Sequence, residues 1–153
     1  MKKKLLFVIP SLALGGAEKS FVNLLNALDF EKYEVDVFLF VKSGEFLHLL
    51  PKQIKILPTS KDFSSFSLPF VKSVFTFTTK GKLHLAFYRL MFVVGNIRAE
   101  NSAISEQMTW RFLRKFFPKV KGNYDVAIGY LEKSSNYFLA DRVVANQKIG
   151  WIH

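Results

Sequence analysis

Five apolar residues in succession, Leu5-Leu6-Phe7-Val8-Ile9, closed by Pro10, constrain the fold more than any other stretch. A strand with one face in water alternates; an unbroken run belongs to a strand covered on both faces, as at the centre of a parallel sheet. After Gly15-Gly16, the residues Ala17, Phe21, Leu24, Leu25 and Leu28 recur at helical spacing, leaving Glu18, Lys19, Asn23 and Asn26 largely on another face. The order is strand, glycine turn, helix.

The rest of the chain continues the alternation. Glu34–Val41 is predicted as a second strand, Lys42-Ser43-Gly44 as a turn, Glu45–Leu50 as a short helix ended by Pro51, and Ile54–Pro58 as a third strand. Such a βαβαβ order implies right-handed crossovers and a parallel sheet. Thr59–Leu68, with its serines and scattered phenylalanines, has no clear period and is expected as a loop or excursion. Pro69 opens an expected helix carrying Phe70, Val71, Val74, Phe75 and Phe77. Leu83–Val94 is densely apolar but, interrupted by His84 and Arg89, too short for a membrane span. Ser102–Phe117 is predicted as a helix with Ile104, Met108, Phe112 and Phe116 in one seam and Ser102 and Ser105 available as caps. Tyr124–Leu131 and Gln147–Ile152 are expected as the fourth and fifth strands, joined by a helix over Asn136–Val144. The expected fold class is α/β: one Rossmann-like parallel-sheet domain over residues 1–153, with a basic, aromatic helical insert at about 61–121 between strands three and four.

A chain of 153 residues with 17 phenylalanines has material for one domain with a core. The absence of cysteine excludes disulfides, thiolate metal sites and cysteine nucleophiles, and is compatible with a cytoplasmic location. Met1-Lys2-Lys3-Lys4 before an apolar run imitates a signal peptide, but the run stops at Pro10 and leads into Glu18 and Lys19, so it reads as a basic leader to the first strand. The net charge of +10 is concentrated: residues 61–121 hold eleven Lys and Arg against three Asp and Glu. An anionic partner follows, whether nucleic acid, an acidic lipid surface or a phosphorylated substrate.

The Gly15-Gly16 turn has two readings. It aims the unpaired N–H groups and positive dipole end of a helix beyond the first strand, an anion-binding geometry; or glycine simply supplies a positive φ to a tight turn. The Gly-x-Gly-x-x-Gly spacing of dinucleotide sites and the Gly-Lys-Ser/Thr of phosphate loops are both missing. His48, His84 and His153 have no metal-ligand spacing, no Asp-x-Asp pair occurs, and no Gly-x-Ser-x-Gly elbow is present, so no metal site or serine hydrolase is expected. Open α/β sheets gather ligands at the carboxyl ends of their strands. Three segments are expected to meet there: Ser11–Gly16, Glu132–Ser135 and His153. The plainer alternatives are a tight turn, a helix cap at Ser134 or Ser135, and an exposed histidine.

With Gly15-Gly16-Ala17-Glu18 after a first strand and Lys148-Ile149-Gly150-Trp151-Ile152-His153 at a fifth, the chain resembles, over essentially its whole length, the N-terminal domain of a family 4 (group 1) glycosyltransferase of the GT-B fold. The resemblance implies a retaining transferase without metal or other cofactor, moving a sugar from a nucleotide-sugar donor to a saccharide or lipid-linked acceptor in cell-surface polysaccharide or glycolipid synthesis. By position, Gly15 and Gly16 would approach the donor diphosphate and His153 would act as the catalytic contact to the donor sugar. Ser11, Glu132, Ser134 and Ser135 would face the acceptor. The basic insert would meet an anionic membrane surface, placing the protein in the cytoplasm, peripheral on the inner face of the membrane; nucleic acid is not the expected partner. The family's second, donor-binding domain with its paired glutamates has no counterpart before His153, so this chain alone is expected to be inactive. The alternative is a non-enzymatic peripheral membrane or anion-binding module.

Overall fold

In the computed structural model, which describes residues 1–151, the chain divides into two compact units. One joins Met1–Thr59 to the chain from Lys119 onward; the other is Ser60–Pro118.

The first unit is a five-stranded, all-parallel sheet flanked by helices, consistent with a Rossmann-like fold. Its elements are β1 (Lys3–Ile9), α1 (Gly16–Asn26), β2 (Tyr33–Leu39), β3 (Lys55–Ile56), β4 (Asn123–Tyr130) and β5 (Val144–Trp151). A single turn of 3₁₀ helix, Glu45–Leu49, precedes β3. The strand order is β3-β2-β1-β4-β5, and β1 lies between β2 (Phe7 opposite Val37) and β4 (Phe7 opposite Ile128). The unbroken apolar run of β1 is buried on both faces. Leu5, Phe7 and Ile9 join Val35, Val37, Leu39, Ile128 and Tyr130 beneath Phe21, Val22 and Leu25 of α1. Residues of the other parity, among them Leu6 and Val8, are buried too. There Phe138, on the helix between β4 and β5 (Ser134–Arg142), stacks on Phe38 with centroids 4.4 Å apart. β5 is an edge strand exposed along most of its length.

Expected strand boundaries move by one to three residues, most visibly at β3 and β5. β3 pairs over only two residues, because Pro51 and Pro58 bracket it, although Leu57 N still donates to Val37 O at 2.9 Å. β5 begins at Val144 rather than Gln147, taking Val144 from the end of the expected helix.

The second unit is entirely helical: α2 (Lys61–Phe66), α3 (Phe70–Thr79), α4 (Leu83–Arg98) and α5 (Ser102–Leu113), then a 3₁₀ turn over Arg114–Phe116. The helix from Ser134 to Arg142 is therefore α6. α2 lies where a loop or excursion was expected. Ser60 caps it, its Oγ accepting from Asp62 N and Phe63 N, while Ser64 and Ser65 donate their hydroxyls to carbonyls four residues back. Serines that read as turn formers thus satisfy a helix backbone. Phe63 and Phe66 anchor it, stacking on Phe117 at 4.3 Å and packing against Phe116 at 4.6 Å.

The expected seam of α5 is also corrected. Its first half fails, since Ile104 and Met108 are exposed while Thr109, against Gly95 of α4, and Trp110 are buried; its second half holds, with Phe112 half-buried and Phe116 buried in the 3₁₀ turn that follows. Neither Ser102 nor Ser105 caps α5: Asn101 Oδ1 accepts from Ile104 N at 2.9 Å.

Candidate functional site at the carboxyl edge of the sheet

Between β1 and β4 the connections change direction: β1 leads through α1 to β2 on one side, β4 through α6 to β5 on the other. This switch point is where an open parallel sheet leaves a crevice between loops. The β1–α1 loop carries Ser11, Gly15 and Gly16, and the β4–α6 turn carries Glu132, Ser134 and Ser135; both leave the carboxyl ends of adjacent, parallel strands. His153 lies outside the described residues.

The β1–α1 loop is pinned from below. Leu12 is fully buried, its N–H donates to Ser43 O at 3.0 Å, and its carbonyl accepts from Phe46 N at 3.1 Å. Val41 N donates to Pro10 O at 2.9 Å, so the loop after β2 braces the loop after β1. Gly44 makes the approach possible. Its φ is +126°, and a Cβ there would stand 2.0 Å from the Leu12 carbonyl.

Gly15 and Gly16 differ from Gly44. Gly15 has φ −167° and ψ 157°, extended backbone open to any residue, and Gly16 already belongs to α1. The positive-φ reading of this turn therefore does not hold. Only the carboxylate of Glu18 crowds the position of a Gly15 Cβ, and nothing lies within 4 Å of one on Gly16. Gly15, at the N-cap, has no side chain to cap α1; among the described residues its first-turn N–H groups have no side-chain acceptor, and the backbone at Gly16 is open.

The β4–α6 turn is strained. Leu131 and Lys133 adopt φ of 79° and 60° on either side of Glu132, a conformation that costs a non-glycine residue free energy. Lys133 stands at the helix N-cap with no side-chain cap bond of its own, and Ser134 is the first residue of α6. Glu132 is exposed and Ser134 half-buried. Ser135 is fully buried and, among the described residues, its Oγ has no hydrogen-bond partner, which places that hydroxyl inside the fold rather than on the rim.

Four further positions shape this edge without having been named as site residues from sequence. Gly129 and Gly150 pair across β4 and β5, and the Asn136 amide lies over both; a Cβ on Gly129 would come 2.2 Å from Asn136 Oδ1. A glycine inside a strand is the available signal, since it marks a close approach by another group. Tyr130, at the end of β4, packs between Phe21 at 4.8 Å and Trp151 at 5.7 Å, and donates its hydroxyl to Ser20 Oγ at 3.1 Å. It ties the end of β4 to α1.

Other polar features lie elsewhere. A hollow of about 510 Å³ lined by Lys2, Lys3, Glu31, Lys32 and Tyr33 opens at the amino ends of the strands, away from the switch point. Two of its lysines have local partners: Lys32 pairs with Asp29 at 2.9 Å and Lys2 Nζ donates to Phe30 O. Among the described residues, no three of His, Cys, Asp and Glu form a metal-ligating group. No family model matches the chain, and no curated protein does.

Proposed function

We propose that the β1–α1 loop is one wall of a nucleotide-sugar site and that the sheet unit is the acceptor-side half of a GT-B glycosyltransferase. The observation that carries the reading is the open glycine pair: neither φ nor packing demands glycine at Gly16, and at Gly15 only the movable Glu18 carboxylate stands in the way. Glycine at such a position lets a ligand reach the backbone. When a nucleoside diphosphate departs from a sugar, its oxygens gain negative charge. The uncapped N–H groups of α1 and the dipole behind them would stabilise that charge as it forms.

His153 would contact the donor sugar, and Ser11, Glu132 and Ser134 would face a saccharide or lipid-linked acceptor. Ser135 would act through the turn it is buried in. No metal or other cofactor is part of the reading. A second Rossmann-like domain would complete the cleft and supply most nucleotide contacts, and residues 1–153 without such a domain would transfer no sugar. The helical unit would be an insert between β3 and β4 that holds the protein in the cytoplasm against the inner face of a membrane. The second reading, a non-enzymatic peripheral module, is favoured by that unit's outward apolar residues.

The test is ligand-observed NMR of uridine and guanosine diphosphates with the chain, followed by transfer assays on the chain joined to a donor-binding domain. Saturation transfer to the diphosphate should be lost in Gly16→Trp, and sugar transfer by the joined protein should fall at least about a hundredfold in Gly16→Trp and in His153→Ala. Full transfer in both variants would remove these residues from the site.

A further inference from the structure

We propose that the outer face of α4 is a docking surface for an anionic lipid bilayer. This names the face for the membrane contact included in the reading above, and it stands whether or not the sheet unit transfers sugar.

α4 is apolar on two sides, and its own unit uses one of them. The inner side holds the buried Leu85 and Ala86, Phe92 edge-on to Phe66 at 4.9 Å, and the Arg89 guanidinium 4.5 Å from the Phe66 ring centre. The other side carries Leu83, Phe87, Leu90 and Ile97, exposed by 65%, 55%, 44% and 78%. Their spacing puts them in one stripe about 21 Å long, with half-buried Val94 between. No charge interrupts the stripe, because Arg89, the helix's one internal charged residue, turns to the aromatic cluster. On α3, Val71 and Phe75 are exposed by 76% and 67%. Water leaves a continuous apolar stripe of this kind uncovered at a cost, which marks a contact surface.

Charge selects the occupant. Residues 60–118 carry nine Lys and Arg against three Asp and Glu, and Asp62 is paired with Lys82. Exposed Lys80 precedes the stripe, His84 flanks its start and exposed Arg98 ends it, with Glu100 the nearest acid beyond. An apolar centre with cationic ends matches the layers of an anionic bilayer surface, acyl chains below and headgroups above. A second copy would bring like charge to like. Nucleic acid would call for cations along the stripe, to meet the phosphates, and the stripe carries them only at its ends. Among the described residues no helix is long and apolar enough to cross a membrane, so α4 would lie in the interface plane.

The full chain is floated with vesicles of phosphatidylcholine alone and of phosphatidylcholine mixed with phosphatidylglycerol. Binding is expected to the mixed vesicles only and to weaken with salt. Phe87→Glu and Leu90→Glu should each lower partitioning about tenfold or more. Arg98→Gln should lower it about fivefold. Because a charged variant can fold poorly, Phe87→Trp provides a conservative check: its added emission should be quenched by brominated lipid. Gly16→Trp should leave flotation unchanged, and Phe87→Glu should leave nucleotide binding unchanged, which separates this proposal from the transferase reading. No flotation, flotation indifferent to Phe87→Glu and Leu90→Glu, absence of quenching in Phe87→Trp, or a dimer that these variants dissolve would each overturn it.

Discussion

Tyr124 and Asp36 form a buried polar contact inside the sheet unit. The Tyr124 hydroxyl donates to Asp36 Oδ2 at 2.7 Å, Lys4 Nζ lies 3.9 Å from the same oxygen, and among the described residues Asp36 Oδ1 has no hydrogen-bond partner. With one oxygen already unmet, Tyr124→Phe removes the carboxylate's remaining short bond and should cost about 1–3 kcal/mol in chemical denaturation. Burial, then the bond and charge of Asp36, push the phenol above its ordinary value of 10.0. The neutral phenol is thus favoured in the folded state. Its contribution is complete below pH 10.0 and is lost as pH rises above it, while the unfolded chain ionises first. Wild-type stability should decline through that alkaline range, and Tyr124→Phe should lack this component of the decline. Sequence shows a tyrosine in one strand and an aspartate in another; their meeting requires the register that puts β1 between β2 and β4.

At the scale of elements, the β1–α1 loop owes its position to a neighbour. Gly15 and Gly16 drew attention in the sequence because they are paired, yet Gly44 is the glycine the backbone cannot do without. Gly44→Ala would impose a positive φ on a residue with a Cβ and drive that atom into the Leu12 carbonyl. The expected cost is about 2–3 kcal/mol, read as a lowered unfolding midpoint. Hydrogen exchange should localise the loss of protection to residues 10–16 and 41–46, and equal protection in variant and wild type there would show that the brace is dispensable. The strand-helix alternation was legible because period and glycine breaks are local. The caps and seams of the helical unit were less so. Asn101 displaces the serines as cap of α5, and α4 decides which stripe of α5 is covered.

Two compact units within one chain make stability a local quantity. Phe116, almost fully buried, contacts Phe66 at 4.6 Å and Phe77 at 5.5 Å, so it joins α2 and α3 to the 3₁₀ turn in a single aromatic core. Phe116→Ala should destabilise that unit by about 3–5 kcal/mol. In hydrogen exchange, amides of α2–α5 should then lose protection while those of β1, β2 and β4 keep theirs. A uniform loss across both sets would mean that the units unfold as one.

What the sequence determined by itself is the parallel sheet: an unbroken apolar run must be covered on both faces, and short strands alternating with helical periods leave few other ways to cover it. It also marked the two loops at the sheet's carboxyl edge, because glycine pairs and strand ends are written locally. Tertiary structure alone decided that Gly15 and Gly16 are open rather than strained, that Ser135 is buried, and that Asn136 lies over Gly129 and Gly150. It alone decided which of the two apolar sides of α4 faces outward. The physical reason is common to all four. Composition and spacing state what a side chain can do, but burial and contact depend on residues distant in the chain, and these meet only when strand register and helix packing have been set.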